Sequence, residues 1–342
     1  MNFFLFAVLL IGLLVPGPCR AQQTFRVMSY NVENFFDTKD NPEKEDDDFT
    51  PQGIRAWTPG RYHRKLQQTS QTIFAAGESN PPALIGLCEV ENDSVMFHLL
   101  HRTPLRHLLY RYCLTHGDDV RGINVALLYR RDLFRLLEEE AIRVPMGEHQ
   151  RPTRPILRVS GQLSTGDTLD VFICHFPSRY GGEKETEGAR LRAARLLKHR
   201  ADSIQRQRKR PQVLIMGDFN DTPTDRSLTE GLQARPLPGD FPAGISDPHA
   251  YYNLFHHARG SHKYQGDWSQ IDHILVNGQL LDPRNPFRVL PESAHVFAPP
   301  FLLKDDRTWR GKRPFRTYHG YRYEGGFSDH LPLLVDFHLA NP

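Results

Sequence analysis

Side chains that handle metals and phosphates gather in five short strings of this chain. They are Ser29-Tyr30-Asn31-Val32-Glu33, Leu87-Cys88-Glu89-Val90-Glu91-Asn92, Cys174-His175-Phe176-Pro177-Ser178, Gly217-Asp218-Phe219-Asn220-Asp221 and Ser328-Asp329-His330. Each adjoins a strand-like apolar run, which places it at a strand end or in the neighbouring loop. Together they offer carboxylates, amides and two histidines but no cysteine ligand set. Oxygen donors of this kind match a hard cation such as Mg²⁺ and a phosphate ester.

The strings divide the chemistry. Glu89 closes one strand and Asn31 another; a carboxylate and an amide converging there would hold Mg²⁺ and leave waters on it. Taken singly, each is an ordinary cap or loop residue. Glu33 and Glu91 lie two residues on, on the same side by strand periodicity, as supporting groups. Gly217 lets a buried strand turn tightly, so that Asp218 can orient or deprotonate a water and Asn220 can donate to a phosphate oxygen. Alone, that string is an Asx-turn. Asp272 sits inside an apolar strand, where an unpaired carboxylate is costly, and His330 is the best partner on offer. His273 then faces the opposite side as a structural histidine. His175 is placed to hydrogen-bond a phosphoryl oxygen or protonate a leaving group. Arg179, in the loop after it, is a candidate phosphate contact.

Elements able to carry these groups are legible. Apolar, turn-bounded runs at 25–30, 84–87, 123–129, 169–174, 212–216, 271–276 and 331–337 read as strands. Residues 61–76 and 187–207 read as helices, the second ended by Pro211. Strands mixed with two helices and hairpin-like pairs give a mixed α/β sandwich. Residues 36–60 and 235–268 read as long loops. Within the first, the acidic run Glu43-Lys44-Glu45-Asp46-Asp47-Asp48 lacks calcium-loop spacing and reads as solvated. The arginines and lysines of 190–210 read as a solvated helix face. The basic-aromatic stretch 309–318, just before Ser328-Asp329-His330, is the better substrate contact.

The chain has 342 residues, 39% hydrophobic and 24% charged, with net charge +3 and four cysteines. Such a composition builds a core without disulfides or structural metal. An apolar run over 3–15, followed by Pro16-Gly17-Pro18 and Cys19-Arg20-Ala21, reads as a secretory signal spanning 1–21. No basic residue precedes it, and Pro18 disfavours a lipid anchor at Cys19. A single domain over 22–342 would then carry net charge +2 and three cysteines, Arg20 and Cys19 having left with the signal. A near-neutral molecule does not announce a nucleic-acid partner through its overall field.

Seven motifs in order, Ser-Tyr-Asn-Val-Glu-Asn (29–34), Gly-Leu-Cys-Glu-Val-Glu-Asn (86–92), Arg-Gly-Ile-Asn-Val-Ala-Leu-Leu-Tyr (121–129), His-Phe-Pro-Ser (175–178), Gly-Asp-Phe-Asn-Asp (217–221), Ile-Asp-His-Ile (271–274) and Ser-Asp-His-Leu-Pro (328–332), resemble the endonuclease/exonuclease/phosphatase superfamily. The resemblance is greatest to its secreted bacterial nuclease branch and spans 25–338. It implies a four-layer sandwich, two mixed β-sheets face to face with helices outside, and a site at one edge. It implies Glu89 and Asn31 as ligands of the principal metal, and Asp329 as a ligand of a second if one binds. Asp218 would act on water, Asn220 on the phosphate, and His330 with Asp272 on water or the phosphorane. His175 would bind the phosphate or act as acid. The family's abasic-site endonucleases carry Asn where this chain has His175, and a tyrosine that some relatives use near Phe172 is absent. Histidine there is typical instead of pancreatic-type deoxyribonucleases and sphingomyelinases. The expected activity is Mg²⁺-dependent phosphodiester hydrolysis (Mn²⁺ a possible substitute), with nucleic acid as first substrate. A phosphatase or lipid-headgroup phosphodiesterase is the alternative. A secreted or periplasmic location is expected, with no membrane insertion after cleavage and no obligate protein partner.

Overall fold

A computed structural model describes residues 23–147, 151–239, 241, 245 and 247–340; the expected signal segment 1–21 lies outside them. The chain opens with β1 (Gln23–Phe35), α1 (Pro59–Gly77), β2 (Leu84–Val90), α2 (Asp93–His101), β3 (Tyr110–Leu114) and β4 (Asn124–Arg130). It continues through β5 (Arg135–Ile142), β6 (Ile156–Gln162), β7 (Thr168–His175), α3 (Glu183–Gln207) and β8 (Gln212–Asp218). Shorter strands follow, among them Tyr251–Asn253, Asp272–Asn277 and the closing Leu333–Leu339.

Two seven-stranded sheets result. The first runs Phe287–Val289, Leu333–Leu339, β1, β2, β4, β3, with His295–Val296 also on the closing strand. The second runs β5, β6, β7, β8, Asp272–Asn277, Tyr251–Asn253, Arg235–Pro236. Both are mixed: β1–β2 and β7–β8 pair in parallel, while β2–β4 and β8 with Asp272–Asn277 pair antiparallel.

Alternation along the strands explains the layering, because successive side chains take opposite faces. Val27, Leu84 and Leu127 of the first sheet meet Val171, Leu214 and Met216 of the second in one cluster between the sheets. Their sequence neighbours Met28, Ile85 and Leu128 turn outward against Leu66 and Ile73 of α1 and Leu99 of α2. Phe172, Val213 and Ile215 turn outward on the other side against Ala193, Leu197 and Ala201 of α3. Strands buried on both faces read as unbroken apolar runs, as they do here. The four-layer α/β sandwich expected from the sequence is therefore the fold. The cysteines among the described residues, Cys88, Cys113 and Cys174, are free and buried. No helix among those residues is long and apolar enough to cross a membrane.

Two elements differ from expectation. The helix α2 has no counterpart in the sequence reading; the Asn92 side chain caps it by accepting the Val95 N–H at 3.0 Å. The segment 36–60 is packed rather than loose. Trp57 is fully buried and donates to the Phe36 carbonyl at 3.1 Å. Its acidic run is not simply solvated: Asp46 is buried, and Lys44 Nζ donates to the Gly117 and Asp119 carbonyls at 2.9 and 3.1 Å.

Candidate active site

Strand pairing builds the site before any side chain is considered. In register, Asp218 of β8 lies between His175 of β7 and Asp272 of the next strand. The first sheet supplies Asn31 and Glu89 from the ends of the parallel pair β1–β2. Regular pairing breaks at these ends. The β1–β2 register shifts between Asn31 and Phe35, and the β2–β4 register between Cys88 and Val90. Glu33, Glu89 and Asn220 all take positive φ, at 55°, 67° and 51°. Bulges and left-handed backbone of this kind re-aim side chains and cluster at functional sites. Gly217 is required by its own backbone: φ is 143°, and a Cβ would stand 1.9 Å from the Cys174 carbonyl oxygen.

The side chains converge on Asp218. Its Oδ2 accepts from Asn31 Nδ2 at 3.0 Å and lies 3.6 Å from His175 Nε2 and 3.8 Å from His330 Nε2. Its Oδ1 accepts the Asn220 N–H at 2.8 Å. Glu89 Oε1 is 3.9 Å from His175 Nε2 and 3.4 Å from Asn31 Nδ2, while its Oε2 accepts the Asn34 N–H at 2.7 Å. His330 Nδ1 is 2.7 Å from Asp272 Oδ2, which also accepts from Ser261 Oγ at 2.5 Å. The structure thus brings Asp272 to His330, the best partner the sequence had on offer. His273 faces away as expected: it is buried, with Nε2 2.9 Å from the Asp221 carbonyl and Nδ1 3.1 Å from Asn253 Nδ2.

Burial and mutual repulsion set the charges. Burial, then the Asp272 charge, push the Asp218 carboxyl up to about 7, against the pull of His330, the Asn220 N–H and Asn31. Burial opposes the imidazolium of His330, yet Asp272, Asp218 and Asp329 outweigh it and hold His330 well above its ordinary value. His175 moves the other way: burial, then Arg154, Arg121 and His330, hold it well below, so it is neutral. Its 3.6 Å approach to Asp218 is therefore not an ion pair.

The arrangement qualifies several expectations. Asn31 turns its N–H toward Glu89 and Asp218, its oxygen being held by the Glu33 N–H at 3.0 Å. The Glu89 and Asp218 carboxylates thus share Asn31 Nδ2 and His175 Nε2 as neighbours. Arg179 is committed elsewhere: its guanidinium meets Glu183 at 2.9 Å, Asp221 at 3.3 Å and Asp225 at 2.6 Å, and donates to the Asn220 carbonyl at 2.8 Å. Three carboxylates leave it a loop brace rather than a phosphate ligand. Asn220 Nδ2 donates to the Phe176 carbonyl at 3.1 Å, which braces the His175 loop. Asp329 groups with His262 and His330 rather than with Glu89, ligand atoms of these three lying within 4.8 Å of one another. Glu33 and Glu91 accept backbone N–H groups, Glu33 from Thr317 and Tyr318 at 2.6 and 2.9 Å, Glu91 from Asp37 at 2.5 Å.

The sequence reading did not single out Lys65, His262 or Arg154. Lys65 is buried and donates to Thr317 Oγ1 at 2.7 Å and the Phe327 carbonyl at 2.6 Å. Its position three residues after Tyr62 and four before Thr69, all buried, was a readable inner-face signal. His262 forms a backbone bridge with His330, their rings 4.8 Å apart. Arg154 is buried between Asp119, at 3.2 Å, and the Phe176 carbonyl, at 2.7 Å. No sequence pattern marks either. The basic helix α3 is only partly the solvated face expected. Lys198 and Arg200 pair with Asp202 and Glu140 at its surface, but Arg190 is fully buried against Asp221, and Arg208, just past the helix end, pairs with Asp170.

A hard divalent cation suits this donor set. Asp218, Asp272 and His330 bring ligand atoms within 4.8 Å of one another, and Glu89 adds a carboxylate beside them. Asp272 Oδ1 and His175 Nδ1 are buried without a hydrogen-bond partner among the described residues. Unbalanced carboxylates and orphaned polar atoms are what a bound cation and an anionic ester would satisfy.

Comparison with known proteins finds the same fold elsewhere. The chain resembles the solved structure of an endonuclease/exonuclease/phosphatase family protein of Bacteroides thetaiotaomicron, at 17% identity and TM-score 0.55 over 93% of this chain and 95% of that one. It resembles a mannosyl-6-phosphatase of the same organism at 18% identity and TM-score 0.55, over 92% and 99%. It resembles TDP2 of D. rerio complexed with a single-strand DNA product at 14% identity and TM-score 0.54, over 92% and 99%. At these identities the likeness is one of fold. Comparison with curated proteins finds no match. The family model described as Endonuclease/Exonuclease/phosphatase family matches residues 26–339, and the chain belongs to that family.

Proposed function

We propose that this protein hydrolyses phosphodiester bonds, with Mg²⁺ as its natural cofactor and nucleic acid as the first substrate class. One observation carries the reading: Asp218, at the meeting point of both sheets, is within 4 Å of Asn31, His175 and His330, whose ring is held by Asp272. A carboxylate, a neutral histidine and a cationic histidine at such range suit a reaction at an anionic centre.

Glu89 and Asp218 would hold the cation, with Asn31 supporting both and Asp329 available to a second ion. When bound, the ion would supply Lewis-acid stabilisation of charge on the oxygens of the attacked phosphoryl group. The protein's own groups divide the remaining work. Asp218 would also orient a water for in-line attack and take up its proton, while the opposite P–O bond breaks and the leaving oxygen is protonated from water. His330, kept cationic by Asp272, donates to an equatorial oxygen as negative charge accumulates there. His175, neutral, donates from Nε2 to a phosphoryl oxygen and is unsuited to carry the proton of an acid. Asn220 offers its remaining N–H to the phosphate.

The mannosyl-6-phosphatase among the similar structures supports a second reading, a phosphatase or headgroup phosphodiesterase using the same residues. A substrate panel separates the two. Plasmid DNA, RNA, sphingomyelin, inositol phosphates and bis-p-nitrophenyl phosphate are each offered with Mg²⁺, Mn²⁺, Ca²⁺ or chelator. Turnover of nucleic acid with Mg²⁺, lost in Glu89→Ala and Asp218→Asn, is expected. Turnover confined to lipid or inositol substrates overturns the nuclease reading, and no turnover of any ester overturns both.

A further inference from the structure

A cavity of about 600 Å³ adjoins the site on the Asp329 side. Two lining residues make the link. Lys263 follows His262, and Arg316 precedes Thr317, whose N–H is bound by Glu33. The Arg316 charge acts on both Asp329 and His262.

Six cationic side chains line the cavity against three carboxylates, an excess of three positive charges. The carboxylates do not reach far. Asp306 serves Lys263 at 3.0 Å, and Glu324 alone serves Lys304, Arg313 and Arg322 at 3.7, 2.7 and 2.8 Å. Arg307 and Arg316 make no ion pair among the described residues, and Arg316 Nε is buried with no hydrogen-bond partner. The Arg316 guanidinium donates from Nη2 to the Lys263 carbonyl at 3.5 Å and meets no carboxylate at ion-pair distance among the described residues.

The walls add a second feature. Trp309 is 55% exposed, yet its backbone N–H is fixed by Asp306 Oδ1 at 3.0 Å and its ring lies on Gly266. Tyr264, beside it in the lining, is 66% exposed. A simple polyanion would need the cations alone. Anchored, exposed aromatic faces among surplus arginines are the composition that holds an unpaired nucleotide strand, backbone on the cations and base on the ring.

We propose that this cavity is the subsite for the neighbouring nucleotide of a single-stranded nucleic acid, its phosphate on Arg316 and Arg307 and its base against Trp309. This assignment rests on the phosphodiesterase reading above and narrows its substrate to strands rather than isolated esters.

Binding tests it without turnover. A fluorescent eight-nucleotide oligothymidylate is titrated into the whole protein with chelator present, at several salt concentrations. Trp309→Ala should weaken binding about tenfold, the loss of one stacked base. Arg307→Ala should weaken it and make the salt dependence shallower by about 0.7 in log–log slope, the signature of one lost phosphate contact. Both variants should unfold at the temperature of the parent. Absence of oligothymidylate binding by the parent, or binding indifferent to both substitutions, overturns the subsite. So does equal competition by inositol polyphosphate in parent and Trp309→Ala protein, which would mark a pocket for small polyanions. Failure here leaves the phosphodiesterase reading standing, because that reading is judged separately on hydrolysis of bis-p-nitrophenyl phosphate.

Discussion

At the residue scale, the two histidines of the site are distinguished by what surrounds them. Both are buried, but three carboxylates outweigh burial at His330 and keep it charged, whereas burial, reinforced by Arg154 and Arg121, keeps His175 neutral even beside Asp218. His330→Ala should therefore lower kcat on bis-p-nitrophenyl phosphate by about 10²–10³-fold, the usual cost of one charge-stabilising donor. Asp272→Asn keeps the shape and removes the charge that raises His330. The protonated imidazole is then lost at lower pH, so the basic limb of the pH–rate profile should move toward acid. An unmoved limb would mean that Asp272 acts only as a prop. His273 makes a different prediction. Burial, helped by His256, outweighs the pulls of the Asp221 carbonyl, Asp272 and Asp225 and depresses it to about 4. Between that value and an unfolded value of about 6.5 only the unfolded chain binds the proton, so stability falls as pH drops through this window. The loss amounts to at most about 3 kcal/mol. His273→Gln should flatten the decline, measured as denaturant midpoint against pH. The opposite facing of His273 and the need of Asp272 for a partner were both legible, because a strand's period of two and the cost of a buried charge are local facts. The commitment of Arg179 was not legible, since its three carboxylates include Asp221 and Asp225, more than forty positions away in the chain.

At the element scale, strand ends that break their own register aim the catalytic groups. Gly217 is the tightest of these. Gly217→Ala drives a Cβ to 1.9 Å from a neighbouring strand's carbonyl at φ 143°. It should cost about 3 kcal/mol in equilibrium unfolding and, by displacing Asp218, most of the activity. The string Gly-Asp-x-Asn announced that turn; the bulges after Asn31 and at Glu89 had no such marker, because they are settled by pairing with distant strands. Helix α1 carries a second prediction. Lys65 ties it to Thr317 and Phe327, the segment that leads into Asp329 and His330. Lys65→Met leaves a buried hydroxyl and a carbonyl without their donor and should destabilise by about 2 kcal/mol. The missed helix α2 has a plain reason: nine residues with one carboxylate and two histidines give too short a pattern to separate from loop, and the Asn92 cap is what commits it.

At the scale of the whole molecule, the site is a seam. Glu89 comes from one sheet and Asp218 from the other, and the core between them is shared. The order of motifs announced that both would be present; that they meet follows only from packing two sheets face to face. Asp218, buried at this seam beside Asp272, opposes folding in its charged form. Asp218, raised to about 7 first by burial and then by Asp272, is ionised at pH 8 at a cost to stability. Asp218→Asn should thus be more stable than the parent at pH 8 in chelator, by about 2 kcal/mol, although it is inactive. Mg²⁺ should reverse the order. A cation that binds only the folded chain contributes about 2.7 kcal/mol at a hundredfold excess over its Kd, which is a rise of a few degrees in Tm. Glu89→Ala and Asp218→Asn should each lose that rise, since the ion then touches one sheet instead of bridging two. Should either variant keep the full shift, the cation is held on one side of the seam, and the assignment of Glu89 and Asp218 as joint ligands is wrong. The two measurements together, higher stability without metal and no response to it, separate a ligand carboxylate from one that merely braces the fold, because removing a brace lowers Tm in both conditions.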